Sequence, residues 1–246
     1  MQPGDQPRTV AAAAANAATL RAALGRANGW TVLRHDAVTA IRSAEPRQQR
    51  AVITNPSMAQ HDVTHVLDGF FGGQAPHYLI EDHWGRDWQA VGCERFAAMP
   101  IMTCASSPPM PRQVDVDVVQ VSTGAQLEAF ERTLVDAFPL TDHRPWRPGA
   151  LWTPAVLRIN GLRLLLGLRD ATPVATSVAW SHDGAVGAYW IAVLPRHRGV
   201  GCGRAMTAAA LTGATPGLLI ATTAGRRMYE RLGLRAVATS TWWTRT

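Results

Sequence analysis

Apolar and polar positions alternate with two different periods along this chain, and the point where one period yields to the other is its most informative stretch. Val186 to Val193 is a nearly unbroken apolar run of strand length. It feeds Leu194-Pro-Arg-His-Arg-Gly-Val-Gly-Cys-Gly203, and Arg204 to Leu211 then reads as an alanine-rich helix. Upstream, Val114 to Val121 alternates as a strand and Thr123 to Phe138 predicts a helix opening at a Ser/Thr cap. A proline-rich loop, Pro139 to Pro154, carries Asp142, His143, Trp146 and Trp152, and its length suggests a functional surface. Ala155 to Ile159 and Leu162 to Leu168 read as strands joined by Asn160-Gly161, a hairpin signal, and Pro173 to Trp180 as a further strand before the turn His182-Asp183-Gly184. Beyond the glycine-rich stretch come a strand (Leu218 to Thr222), a helix stopped by Gly233 (Ala224 to Leu232) and a last strand (Arg235 to Trp243). These elements predict an α/β fold: a mixed sheet with helices on its faces.

Prolines 108, 109 and 111 in Ala105-Ser-Ser-Pro-Pro-Met-Pro111 mark a linker near mid-chain, so two parts are expected, 1–110 and 112–246. With 246 residues, 47% of them hydrophobic, the chain can bury a substantial core. Its charge of +6 is uneven. Residues 1–111 hold nine arginines and nine acids, whereas 112–246 hold fifteen and nine, and after Asp183 eight arginines face a single acid, Glu230. That concentration favours a polyanionic ligand at one place over a diffuse nucleic-acid surface, so no nucleic-acid partner is expected. All 24 basic residues are arginine, so no lysine amine is offered to an electrophilic acyl donor.

Cys93, Cys104 and Cys202 form neither a disulfide framework nor a zinc spacing, and a reducing cytoplasm is expected. Val10 to Leu20 resembles a secretory core, but Asn16 interrupts it and Asp5 offsets Arg8, so an alanine-rich helix continuing through Leu24 is expected instead. With no run of eighteen apolar residues, neither a membrane span nor a membrane partner is expected. His61 and His65 share a helical face, with His77 and His83 downstream, but Asp62 stands where a zincin carries glutamate. No metal is expected.

The glycine-rich stretch carries the chemistry. Gly199, Gly201 and Gly203 permit positive φ and close approach to backbone amides, and those amides open a helix whose positive end favours an anion. Arg196, Arg198 and Arg204 surround it. The dinucleotide spacing G-x-G-x-x-G fails because Arg204 occupies the sixth position from Gly199, and a P-loop needs a lysine.

Arg198-Gly-Val-Gly201-Cys-Gly203 resembles the acetyl-CoA signature (Q/R)-x-x-G-x-(G/A) of the Gcn5-related N-acetyltransferases. Ile191-Ala-Val193-Leu-Pro195 before it, and Met228-Tyr229-Glu-Arg-Leu-Gly233-Leu234 thirty residues on, are similar to the same family's flanking elements. The resemblance covers residues 112–246. It implies a central mixed, mostly antiparallel sheet flanked by helices, with a smaller degenerate α/β half before it. It implies acetyl-CoA as co-substrate, its pantetheine arm along Ile191, Ala192 and Val193 and its pyrophosphate on Arg198, Gly199, Val200, Gly201, Cys202, Gly203 and Arg204. Tyr229 is implied as the acid that protonates the departing thiolate after direct attack by a primary amine, the acceptor being a small molecule or peptide. A monomer or homodimer is expected.

Two positions depart from the family pattern. Thr222 stands where many members have asparagine, and Leu218 to Ala221 are apolar where many have glutamate, which leaves the base open among Asp142, His143, His182, Asp183 and a water chain. That loss keeps an alternative in view: a catalytically inactive acyl-CoA sensor or interaction module. In the first half, Trp88 to Met102 is similar to the end of degenerate halves in tandem members, and no cofactor-type glycine turn precedes residue 111. This half is expected to have lost acetyl-CoA and to wall the acceptor pocket or complete the sheet.

Overall fold

The computed structural model describes residues 5–43, 49–72, 78–111, 114–138, 140 and 143–245. Two compact units emerge, and the chain passes between them more than once. The first takes Met1–Thr103, Ile220–Ala224 and Ala236–Thr246; the second takes Cys104–Leu219 and Gly225–Arg235.

In the first unit, α1 (Asp5–Ala27) is followed by β1 (Thr31–Arg34), β2 (Val38–Arg42), β3 (Arg50–Ile53), α2 (Gln60–Phe71), β4 (Tyr78–Asp82) and β5 (Cys93–Cys104); the last strand, β11 (Arg235–Arg245), joins them. The order is β1-β2-β3-β4-β11-β5. β3 and β4 run parallel, and β11 pairs antiparallel with β4 from Thr241↔Asp82 to Arg245↔Tyr78. Alternation along β3 divides its side chains between faces: Ala51 and Ile53 pack with Val63, Leu67 and Phe71 of α2, whereas Val52 packs with Ala17 and Ala18 of α1. Helices therefore cover both faces.

In the second unit the elements are β6 (Asp117–Gln120), α3 (Gly124–Ala137), β7 (Leu162–Arg169), β8 (Thr172–His182), β9 (Ala185–Val193), α4 (Cys202–Ala210), β10 (Gly217–Ile220) and α5 (Arg226–Arg231), with strand order β10-β9-β8-β7-β6. β6 to β9 pair antiparallel and β10 runs parallel to β9. α3 begins in a capping box: Thr123 Oγ1 accepts from Gln126 N at 3.2 Å and Gln126 Oε1 accepts from Thr123 N at 3.2 Å. The mixed, mostly antiparallel sheet with packed helices is the architecture expected.

One expected strand is absent. Residues 155–159 do not pair; Pro154–Arg158 is a short 3-10 helix, because Pro154 at its first turn presets φ and needs no N–H acceptor. Asn160-Gly161 is accordingly no hairpin turn. Gly161 (φ 83°) instead leads into β7, with its oxygen accepting from Ser181 N at 2.9 Å. The strand expected from Val114 shortens to Asp117–Gln120.

Candidate functional site

β9 and β10 are parallel neighbours only at Gly217↔Val186 and Leu218↔Gly187. β9 then continues to Val193 beside β8 alone, so its other edge has no strand partner up to the glycine turn. Leu194 N donates to Val174 O, and Ala192 is registered on Thr176; strand alternation therefore turns the peptide groups of Ile191 and Val193 away from β8 and Ala192's toward it.

The strand is also bulged. Thr176 faces Ala192 but Val178 faces Tyr189, so β9 contributes an extra residue, and Trp190 takes φ 44°. A left-handed tryptophan costs about 1–2 kcal/mol and persists only where its surroundings hold it. Here Thr176 Oγ1 donates to Trp190 O at 3.2 Å, and the Trp190 ring stands edge-on to Trp152 at 5.3 Å.

At the turn, Gly199 has φ 82° and Gly201, the N-cap of α4, has φ 97°. A Cβ on Gly201 would meet Val114 Cγ2 at 2.7 Å, and one on Gly203 would meet Met228 Sδ at 2.9 Å. Gly201 is thus required for its conformation, and at Gly203 α4 packs closely on Met228 of α5, which carries Tyr229. Among the described residues, the amides of Gly199, Val200, Gly201, Cys202 and Gly203 donate to no backbone acceptor; the ladder resumes with Arg204 N and Ala205 N on Gly201 O. Five amides at the mouth of a helix form an anion cradle.

The three arginines divide their roles. Arg198 is tied into the protein, its Nε donating to Val193 O at 3.0 Å and its Nη2 to Ala137 O at 2.9 Å, which pins the turn to the end of α3. Arg196 Nε donates to the His197 ring at 3.0 Å. Arg204 is exposed in the first turn of α4, which has no acid. A cation at a helix N-terminus is unfavourable by itself and becomes favourable once an anion occupies the same place. Cys202 is buried, and burial pushes its thiol pKa up, so it fills space and offers its amide.

Tyr229 on α5 is 7% exposed, and burial pushes its phenol up to about 12. Of the base candidates, Asp142 lies outside the described residues. His143 is half-buried, its amide on Leu140 O. His182 and Asp183 are exposed in the β8–β9 hairpin, at the opposite end of β9 from the glycine turn. In the first unit, His61 and His65 are exposed, whereas His83 is 1% exposed with Nδ1 3.0 Å from Ser240 Oγ. His77 lies outside the described residues. Among the described residues no three His, Cys, Asp or Glu side chains gather as metal ligands. Sequence reasoning missed the bulge at Trp190 and the buried Glu131 described below, neither of which leaves a periodic signal.

No protein-family model and no curated protein matches this chain. Among solved structures, a GCN5-related N-acetyltransferase from Kribbella flavida superposes with a TM-score of 0.66 at 22% identity, over 95% of this chain and 95% of that one. The fold is that of the GCN5-related N-acetyltransferases. Another such protein, from Sphaerobacter thermophilus, gives a TM-score of 0.54 at 13% identity over 85% of this chain and 76% of that one. A tandem GNAT protein from the clavulanic acid biosynthesis pathway gives 0.55 at 12% identity, over 87% of this chain and 81% of that one.

Proposed function

We propose that this chain is an acetyl-CoA dependent N-acyltransferase that passes the acetyl group to a primary amine of a small molecule or peptide. One observation carries the reading: β9 parts from its parallel neighbour after Gly187, and its unpaired edge leads into a glycine turn at the mouth of a helix, whose unpaired amides suit an anion. A pyrophosphate suits those amides, with Arg204 supplying charge, and the outward peptide groups of Ile191 with the Val193 N–H suit the amides of a pantetheine arm. The arm extends back along β9 from the turn, so its acyl end comes beside the Trp190 bulge.

Acetyl-CoA supplies an activated thioester; the protein supplies position and protons. The amine attacks as the neutral base, its ammonium proton passing to a general base or water. The Tyr229 phenol stays protonated throughout the neutral range because burial disfavours its anion, so it can give a proton to a departing thiolate. No metal takes part in this reading, and the three buried free thiols suit a reducing cytoplasm. No helix among the described residues is long and apolar enough to cross a membrane.

The second reading, a non-catalytic acyl-CoA sensor, is favoured by the apolar β10, Gly-Leu-Leu-Ile, which brings no base to the site. A pooled-amine screen with acetyl-CoA and thiol detection separates the two. Thiol release that depends on one amine supports the transferase; binding without amine-dependent release across the pool supports the sensor and overturns the transferase.

A further inference from the structure

Helix α3 buries a carboxylate. Glu131 is 1% exposed, and desolvation pushes its pKa up, yet three backbone amides converge on it. Its Oε1 accepts from Leu151 N at 3.1 Å and Trp152 N at 2.6 Å, and its Oε2 accepts from Gly149 N at 3.1 Å. A carboxylate is acceptor-only, so it can take all three donors; an isosteric amide would turn an N–H toward one of them. The segment so held ends in Trp152, 4% exposed, whose ring lies 5.8 Å from Phe130 of α3 and 5.3 Å edge-on to Trp190. Trp190 is the residue in which β9 takes its left-handed bulge. One continuous set of contacts thus runs from Glu131 through the amides of Gly149, Leu151 and Trp152 and the two indoles to the bend in β9.

We propose that Glu131 is a positioning residue for the acyl end of the cofactor site, holding Trp152 as the wall against which the Trp190 bulge is set. The proposal rests on the acyl-CoA reading above. It assigns Glu131 no proton transfer: the carboxylate is spent on the three amides. Its effect reaches that site only through the two tryptophans. A merely structural Glu131 would weaken the fold without discriminating between ligands that differ only at the acyl end.

The test compares acetyl-CoA with CoA by titration calorimetry and monitors the far-ultraviolet exciton band expected of two indoles 5.3 Å apart with 73° between their planes. Glu131→Gln is expected to lose that band, as Trp190→Phe does. It is expected to bind CoA within twofold of wild type while its acetyl-CoA to CoA affinity ratio changes about tenfold. The double variant is expected to be no worse than either single one, since both act on one contact chain. Equal losses for both ligands, an unchanged ratio, or additive effects overturn the proposal. If Glu131→Gln does not fold, Trp190→Phe, which leaves the carboxylate and its amides intact, must still change the ratio, and an unchanged ratio overturns the proposal. Wild-type protein that binds neither ligand overturns the acyl-CoA reading and this assignment with it. Wild-type binding with a Glu131-independent ratio overturns this assignment alone.

Discussion

Both units contain a parallel β-α-β crossover, β3-α2-β4 in the first and β9-α4-β10 in the second, and the two are finished in opposite ways. β3 and β4 stay in register from Arg50↔Leu79 to Val52↔Glu81, whereas β9 and β10 lose register after Gly187. The turn after β3 is braced from outside: Thr54 N and Asn55 N donate to Ala37 O, and Ser57 N donates to Asn55 Oδ1 at 3.0 Å. Side chains bond its carbonyls. Trp84 Nε1 donates to Ile53 O at 3.2 Å, and Arg86 Nη1 reaches Met58 O at 2.8 Å and Pro56 O at 3.3 Å. Asp82, wholly buried, organises these groups by accepting from Trp84 N, Arg86 Nε and Trp88 Nε1. Across β4, Glu81 accepts from Arg21 at 2.9 Å and Arg50 at 3.4 Å. The same supersecondary unit thus has its carbonyls braced by buried polar side chains in one place, and in the other leads off an unpaired strand edge into a turn of alternate glycines.

The largest effect expected to break this contrast comes from the cradle. Gly201→Val forces a β-branched residue to φ 97° and a Cβ into Val114, and should reduce acetyl-CoA affinity at least a hundredfold by calorimetry. Next is Tyr229→Phe, expected to lower kcat about a hundredfold with little change in acetyl-CoA KM, as removal of a general acid does; steady-state kinetics with an amine found by the screen checks it. Arg86→Ala acts on the closed crossover, leaving the Asp82 carboxylate buried without its ion pair. It should cost about 3–5 kcal/mol in denaturant unfolding while acetyl-CoA affinity stays within twofold of wild type.

The smallest effect is spectroscopic. Native protein should show a tyrosine ionising near pH 12 that Tyr229→Phe removes. Because this folded pKa lies above the unfolded value of about 10, the group's stabilisation is present below pH 10 and is lost as pH rises toward 12. An alkaline denaturation series on the two proteins measures that difference.

Much of the second unit was legible in the chain because its features are local. The apolar run of β9, the alternate glycines and the Thr123 cap each depend on neighbours within a few residues, and the spacing of Gly201 and Tyr229 completed the resemblance. What was not legible is tertiary. Pro154 turned an apolar pentapeptide from strand to 3-10 helix. The partner of β11 is β4, far away in sequence, and no local pattern names it. Arg198 bonds Val193 O and Ala137 O, and the second partner lies sixty-one residues away, where no local pattern names it. Glu131 resembles any helical glutamate until the amides of Gly149, Leu151 and Trp152 are seen around it.

Titration calorimetry of the intact chain with acetyl-CoA tests the contrast between the two crossovers most directly. A single site per chain is expected, abolished by Gly201→Val and retained in Arg86→Ala. Two sites per chain, or one site that survives Gly201→Val and disappears with Arg86→Ala, would contradict it.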